Sequence, residues 1–221
     1  MNKLDISDWQ EFRISELFIT EPSKNKLQVP TGASIARKDL VDGDIPRITV
    51  TNFNNGIVGY YKNIDSDNYR VFENFISVSF LGTIFYHPYK ASLDMKVHCL
   101  KLKNKDLNKD IALFLISVIK KHISYFAYND QLSSTVLPQL SILLPVKENK
   151  PDWVYMENYI KALYSKERES ISAVANYVEI PSENRIDIGN WQRFHLYDNE
   201  MFDIDMGTKL DKVKMTSLDP T

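Results

Sequence analysis

The chain has 221 residues, 43% hydrophobic and 25% charged, with a formal net charge of −2. That is enough for one or two domains with real cores, without the basic excess of a simple nucleic-acid binder. The single cysteine, Cys99, excludes an internal disulfide and points to a reducing, cytoplasmic setting, while no apolar run reaches the ~18 residues of a membrane span and no basic-then-apolar leader opens the chain.

Residues 5–20 carry Trp9, Phe12, Ile14, Leu17 and Phe18, which predicts a short docking segment, a turn and an edge strand. Residues 21–44 are polar and rich in Pro, Gly and Asp and read as a long loop. From Ile45 to Leu102 the texture is β. The β-branched run Ile45–Thr51 alternates, and Asn54-Asn55-Gly56 follows as a turn, since Asn and Gly tolerate positive φ. Ile57–Tyr61, Phe75–Phe80, Ile84–His87 and Val97–Leu102 then predict short strands of a small curled sheet or partial barrel. Gly82, between two aromatic strands, fits a bulge or a close backbone approach.

The period then becomes helical. Asn108 is the expected N-cap of a helix over 108–123, with Ile111, Leu115, Val118 and Ile119 on one face and Phe114 beside them. An aromatic, amide-rich hinge spans Tyr125 to Gln131. Residues 140–146 read as one more strand, at an edge because of Pro145. Pro151 suits the first turn of a helix over 151–178. Its stripe is Trp153, Met156, Ile160, Leu163, Tyr164, Ile171, Val174 and Val178, long enough to pack along another helix.

One motif occurs twice. Trp9-Gln-Glu-Phe12-Arg-Ile14 reappears as Trp191-Gln-Arg-Phe194-His-Leu196, at a period of domain size, which signals duplication of a whole unit. The chain thus reads as one unit plus the opening of a second. Charge also divides unevenly. Residues 1–150 carry 19 Lys+Arg against 16 Asp+Glu, and residues 151–221 carry 8 against 13. The front half is suited to phosphates and the back half to another partner.

Catalytic motifs are scarce. There is no Gly-rich cofactor loop after a strand, no Asn/Asp-Pro-Pro-aromatic loop and no Gly-Lys-Ser/Thr triplet. Asp94-Met95-Lys96 and Glu148-Asn149-Lys150 match a D/E-x-K nuclease string, but no convincing upstream Asp partner is present and solvated surface charges explain them better. His87, His98 and Cys99 lack zinc-ligand spacing, and neighbours on a strand point to opposite faces. The chain reads as a binder, with no metal and no catalytic set. Two rivals stay open: a metal-dependent DNA endonuclease using Asp94 and Lys96, and a protein-only interaction module acting through the long helix.

The ordered motifs carry a resemblance. They are Trp9-x-x-Phe12 with Phe18; Ile45-Pro-Arg-Ile-Thr-Val-Thr-x-x-Asn-Asn-Gly-Ile-Val-Gly-Tyr60; Ile76-x-Val-Ser-Phe-x-Gly-Thr-x-Phe-Tyr-His87; Ala112-Leu-Phe-Leu115; Tyr125-x-x-Tyr128; Ile142-x-Leu-Pro145; and Pro151-Asp-Trp-x-Tyr-Met-Glu-x-Tyr-Ile160. Together they resemble the specificity subunits of type I restriction–modification systems and of related bipartite methyltransferase–nuclease complexes. The resemblance implies an α+β fold. A small mixed or antiparallel β target recognition domain with packed helices (1–150) precedes one long coiled-coil-like spacer or dimerisation helix (151–180). A linker and an incomplete second recognition domain follow (181–221). The family's glycine after the Phe-x-Ile segment is matched by Gly207 in the second copy, but the first has Glu21-Pro22-Ser23.

The resemblance further implies a non-catalytic, cytoplasmic subunit that binds double-stranded DNA. It would direct a methyltransferase subunit, and through the complex a restriction subunit, to a split site. S-adenosylmethionine, ATP and magnesium would belong to those partners only. A half-length chain could also pair with itself to read a symmetric site. For DNA contact the expected residues are Arg47, Thr49 and Thr51 on one strand face, Asn54, Asn55 and Tyr60 at the turn and next strand, Ser79, Thr83, Tyr86 and His87 around the Gly82 bend, Lys90, and Tyr125, Tyr128, Asn129 and Gln131 in the hinge. Lys96 and Lys101 join Lys90 as phosphate candidates. Trp153, Met156, Ile160, Leu163, Ile171, Val174 and Val178 would face a partner or a second copy. Trp9, Phe12 and Trp153 read as structural anchors. Removing Asn54, Asn55 or Arg47 is expected to relax site choice without unfolding the domain.

Overall fold

A computed structural model describes residues 4–64, 69–123, 132–177, 189 and 191, with the backbone alone for 173–177. The chain divides into two units, Met1–Ser172 and Ala173–Thr221; the described side chains other than Gly189 and Trp191 belong to the first.

The opening motif forms strand β1 (Gln10–Arg13) and a single helical turn, α1 (Ile14–Leu17). The Arg13 N–H donates to Glu16 Oε2 at 2.7 Å, which starts that turn. The expected loop over 21–44 instead contains a hairpin, β2 (Glu21–Ser23) and β3 (Lys26–Gln28), and the start of β4 (Asp42–Ile48). Then come β5 (Ile57–Tyr61), β6 (Val71–Phe72), β7 (Phe75–Ser79), β8 (Ile84–His87), β9 (Ala91–Leu93) and β10 (Val97–Leu100). Helix α2 (Lys109–Ile123) follows, capped as expected, with Asn108 Oδ1 accepting from the Ile111 N–H at 2.9 Å. The described chain continues through β11 (Ser141–Leu144), the tight hairpin of β12 (Val146–Lys147) and β13 (Lys150–Pro151), and α3 (Trp153–Tyr177).

Pro151 lies in that hairpin and not in the helix. Asp152 caps α3, its Oδ1 accepting from the Tyr155 N–H at 2.9 Å. The described strands form two main sheets. One is antiparallel, in the order β10-β7-β8; the other is mixed, β5-β4-β9-β6, with β4 and β9 parallel. The architecture is α+β, as expected.

Strand β7 shows how the sheets share the interior. All five of its residues are buried, and strand alternation sends them to different clusters. Ile76 and Val78 join the main core with Ile111, Leu115 and Ile119 of α2. Phe75 joins Ile48, Leu93, Val97 and Cys99 in a second core beside the mixed sheet.

The domain is closed by β1 pairing antiparallel with β11, Phe12 opposite Ile142. Trp9 then meets Phe114 of α2 at 5.8 Å and Tyr155 of α3 at 6.3 Å between ring centroids. Phe18 is fully buried and bridges to Leu102. The anchoring of the α3 opening follows from this packing, with Met156 fully buried and Trp153, Tyr159 and Ile160 packed on the core. Truncating Phe18 to Ala should cost about 3–5 kcal/mol, whereas Asp152→Ala should cost only about 1 kcal/mol. Urea unfolding of both variants checks that ranking; equal costs would contradict the packing described.

Candidate nucleic-acid interface

Between β4 and β5 the chain makes a tight turn at Asn54–Gly56, where Asn54, Asn55 and Gly56 all have positive φ (47°, 51° and 82°). The base of the turn is fixed. Gly56 donates its N–H to Phe53 O at 2.8 Å, and Thr49 donates to Gly56 O at 2.9 Å. Gly56 is buried, and a Cβ there would meet Ile48 at 3.0 Å and Phe85 of β8 at 3.7 Å. A side chain would therefore face both a strained φ and a filled space. The tip, by contrast, holds Asn54 and Asn55 in solvent.

From this turn β5 runs along the edge of the mixed sheet. Alternation turns Val58 and Tyr60 outward, each 51% exposed. Near Tyr60 lies Tyr89, whose hydroxyl pKa is raised by burial and by the Tyr60 charge. Lys90, also exposed, comes next. Charge sets this surface apart. Neither Ile45–Ile64 nor Asn74–Leu93 contains an Asp or Glu, in a chain with 29 of them. The turn, the outer face of β5 and the stretch after β8 thus form a surface of amides, hydroxyls, aromatic rings and Lys90 with no carboxylate from their own segments. Carboxylates border it only from neighbouring segments, Glu73 beside Lys90 and Asp42 opposite Tyr61 at the far end of β5 from the turn.

Several expected contact residues lie in the interior instead. Arg47 is 3% exposed. Its guanidinium donates to Ala33 O at 2.8 Å and Leu93 O at 3.3 Å, and pairs with Asp94 at 3.4 Å. The expectation of one wet face fails because Pro46, Arg47 and Ile48 are all buried in succession, so both faces of β4 are covered at this end. Thr49 and Thr51 lie beyond the end of β4, half-buried, with Thr51 Oγ1 accepting from the Phe53 N–H at 3.2 Å.

Ser79 is buried and organises the bend after β7, its Oγ accepting from the Thr83 N–H at 3.1 Å and the Thr83 hydroxyl at 2.7 Å. Gly82 takes φ 81° there, as the bend requires. Tyr86 donates to Leu107 O at 3.1 Å and sits 3.2 Å from Asn74 Oδ1. Arg47, Ser79, Tyr86 and His87 are therefore framework residues; Asn54, Asn55, Tyr60 and Lys90 are at the surface, and Thr83 is half-buried beside it. Lys96 is exposed but lies 4.7 Å over the Phe80 ring, and Lys101 is half-buried. Tyr125, Tyr128, Asn129 and Gln131 lie outside the described residues, as does Val178, and the Val174 side chain is not described.

His87 is fully buried, 2.8 Å from Ser77 Oγ and 3.2 Å from the Tyr89 hydroxyl. His98 Nδ1 lies 2.9 Å from Val78 O. Burial lowers the pKa of each from 6.5 to about 4, so both are neutral at pH 7. Cys99 is buried, and its thiol pKa is raised by burial. Among the described residues no group of three or more His, Cys, Asp or Glu is placed to hold a metal. Asp94 is tied to Arg47, and its Oδ1 accepts from the Lys96 N–H at 3.2 Å.

Helix α3 changes character along its length. Trp153, Met156 and Ile160 pack on the domain, but every residue from Lys161 to Ser172 is exposed, including Leu163, Tyr164 and Ile171. None of the described helices is long and apolar enough to cross a membrane.

Scaffold and surface together define an α+β recognition module. Residues 6–173 match the model of the type I restriction modification DNA specificity domain, and the chain belongs to that family. Its sequence is similar to S.BcgI, a type II restriction enzyme specificity subunit from Heyndrickxia coagulans, with 33% identity over 162 residues. That match covers 72% of this chain and 44% of the relative, so the chain spans less than half of that protein. The fold is similar to the HsdS subunit from Thermoanaerobacter tengcongensis (TM-score 0.51, 11% identity, 81% of this chain and 42% of that one). It is also similar to a chain from a structure of a type I restriction–modification system (TM-score 0.52, 13% identity, 80% and 43%).

Two predictions follow from the interior placement. Arg47→Met leaves buried carbonyls without a donor and should cost about 1–3 kcal/mol, whereas Lys90→Gln at the surface should change stability by about 0.5 kcal/mol or less; denaturant titration of the two separates framework from surface. The depressed histidine values mean that the unfolded chain binds protons the folded chain does not. Stability should thus be full above pH 6.5 and fall as the pH drops from 6.5 toward 4, by about 2–3 kcal/mol per histidine. Unfolding free energies that stay flat across that window would contradict the burial.

Proposed function

We propose that this domain is the non-catalytic DNA-reading part of a restriction–modification complex in the cytoplasm. It recognises one half of a bipartite site and directs a methyltransferase subunit, and through it a restriction subunit, to that site. The observation that carries the reading is the exposed amide, hydroxyl and lysine set of the Asn54–Gly56 turn, Tyr60 and Lys90, on segments that contain no carboxylate of their own, in a member of a DNA specificity family. Asn54 and Asn55 supply amides for base edges, Tyr60 a hydroxyl on a flat ring, and Lys90 a charge for phosphate. S-adenosylmethionine, ATP and magnesium are supplied by the partners.

The exposed half of α3 is the docking element in this reading. Leu163, Tyr164 and Ile171 present apolar surface there, suited to a coiled-coil-like contact with a second helix of this chain, a second copy or the methyltransferase. The repeat of the Trp-Gln-x-Phe motif at Trp191 supports a second recognition unit or a paired copy as the source of the other half-site. A nuclease centred on Asp94 and Lys96 gains no support, because Asp94 is tied to Arg47 and Lys96 lies over Phe80.

Methylome sequencing of cells carrying the neighbouring methyltransferase, with and without this chain, tests the reading. A bipartite motif methylated only with the chain supports it, and a palindromic one indicates paired copies. No chain-dependent methylation would overturn it. Asn54→Ala and Asn55→Ala should each weaken binding to the recognised duplex about 10-fold and relax the motif. Lys90→Gln should instead weaken all sequences alike and lower the salt slope by about one.

A further inference from the structure

We propose that Phe53 is an apolar wedge that presses between base pairs of the bound duplex; the inference rests on the DNA-reading role of the same surface. Phe53 is 82% exposed. Every other Phe among the described residues is buried or half-buried. An aromatic ring left in water forfeits its burial, so its place at the tip of an ordered turn calls for a partner.

The stem is fixed from both sides. The Phe53 N–H donates to Thr51 Oγ1 at 3.2 Å, and Phe53 O accepts from Gly56 N–H at 2.8 Å. Gly56 in turn is packed against Ile48 and Phe85. A ring on such a stem loses only its own rotamer freedom on binding. Asn52, Asn54 and Asn55 flank it, and all three are exposed. A base step opened by the ring would present its edges to these amides.

The surroundings favour a duplex over a protein partner. From Ile45 to Ile64 the chain has no carboxylate and four Asn, and Lys62 is its exposed cation, Arg47 being buried and paired with Asp94. A wedge acts most easily at a pyrimidine–purine step, which unstacks at least cost. Phe53 would then contribute specificity through the deformability of the step, with no base-edge hydrogen bond of its own.

The test uses the full chain and a pool of randomised duplexes, from which the bound sequence is selected. That duplex is re-synthesised with 2-aminopurine placed at successive positions and probed with permanganate, which oxidises unstacked thymine. The wild-type chain should unstack one step. Phe53→Ala should weaken binding about 10-fold, abolish the unstacking signal and leave the salt slope and melting temperature unchanged. Phe53→Leu, a smaller wedge, should restore part of both. Phe53→Ala binding with wild-type affinity and signal would overturn the wedge and leave the DNA-reading role intact. So would loss of methyltransferase binding by Phe53→Ala with DNA affinity unchanged, which would make Phe53 a protein contact. A wild-type chain that selects no duplex, alone or with the methyltransferase subunit, would sink both proposals.

Discussion

The antiparallel pairing of β1 with β11 is the contact on which the rest of the domain hangs. It joins residues from opposite ends of the recognition module, Gln10–Arg13 to Ser141–Leu144. Closing so long a loop is entropically unfavourable, and the cost grows only slowly with its length. The return is the burial of Ile14, Leu17 and Phe18 and the placing of Trp9 between α2 and α3. With β1 in place, the opening of α3 is held against the same core as α2, through Met156, Tyr159 and Ile160. The Trp9-Gln-x-Phe12 motif thus sits at the closure of the module.

Inside that closure the polar residues stabilise geometry. Arg47 ties the segment at Ala33 to β9 and Asp94, so a single guanidinium joins three parts of the chain. Ser79 holds the bend from β7 to β8, and His87 sits between Ser77 and Tyr89. Burial makes each of these groups costly unless it is satisfied, so their partners fix where β4, β7 and β8 lie. That in turn fixes the base of the Asn54–Gly56 turn, which rests on Ile48 and Phe85. A rigid interior carrying a narrow exposed tip suits recognition, because little entropy is lost when the tip is engaged.

Much of this was legible in the sequence, for physical reasons that also mark where reading stops. The helix at 108–123 and its Asn108 cap were visible because a one-sided apolar period and a capping amide are local signals. The Asn54–Gly56 turn was visible because positive φ selects Asn and Gly. Alternation at Arg47 suggests a wet face, but Pro46, Arg47 and Ile48 are all buried at the end of β4; Ser79 and His87 flank the Gly82 bend, but β7 is buried throughout and His87 is buried at the end of β8. The hairpin over 21–28 left no pattern to see, since Leu27 is 49% exposed and little in it is buried. Strands β6 and β9 are two and three residues long, too short for any period. Phe53 has no hydrogen-bonding side chain, and its mark in the sequence is an aromatic residue set among asparagines.

Helix α3 separates two requirements that one surface could not meet. Its first turns are part of the recognition module's core, so their orientation is as firm as that core. Beyond Ile160 all residues through Ser172 are exposed; Lys109 of α2 reaches the Tyr164 ring at 5.7 Å, but no residue of this half is buried on the module. Isolated helices of that length are marginal in water, and local pairs such as Glu157 with Lys161 add only tenths of a kcal/mol. A partner bound along Leu163, Tyr164 and Ile171 would both stabilise that half and inherit the orientation of the anchored half. A surface that reads DNA would then be coupled to one that binds protein through continuous backbone, with no hinge needed between them.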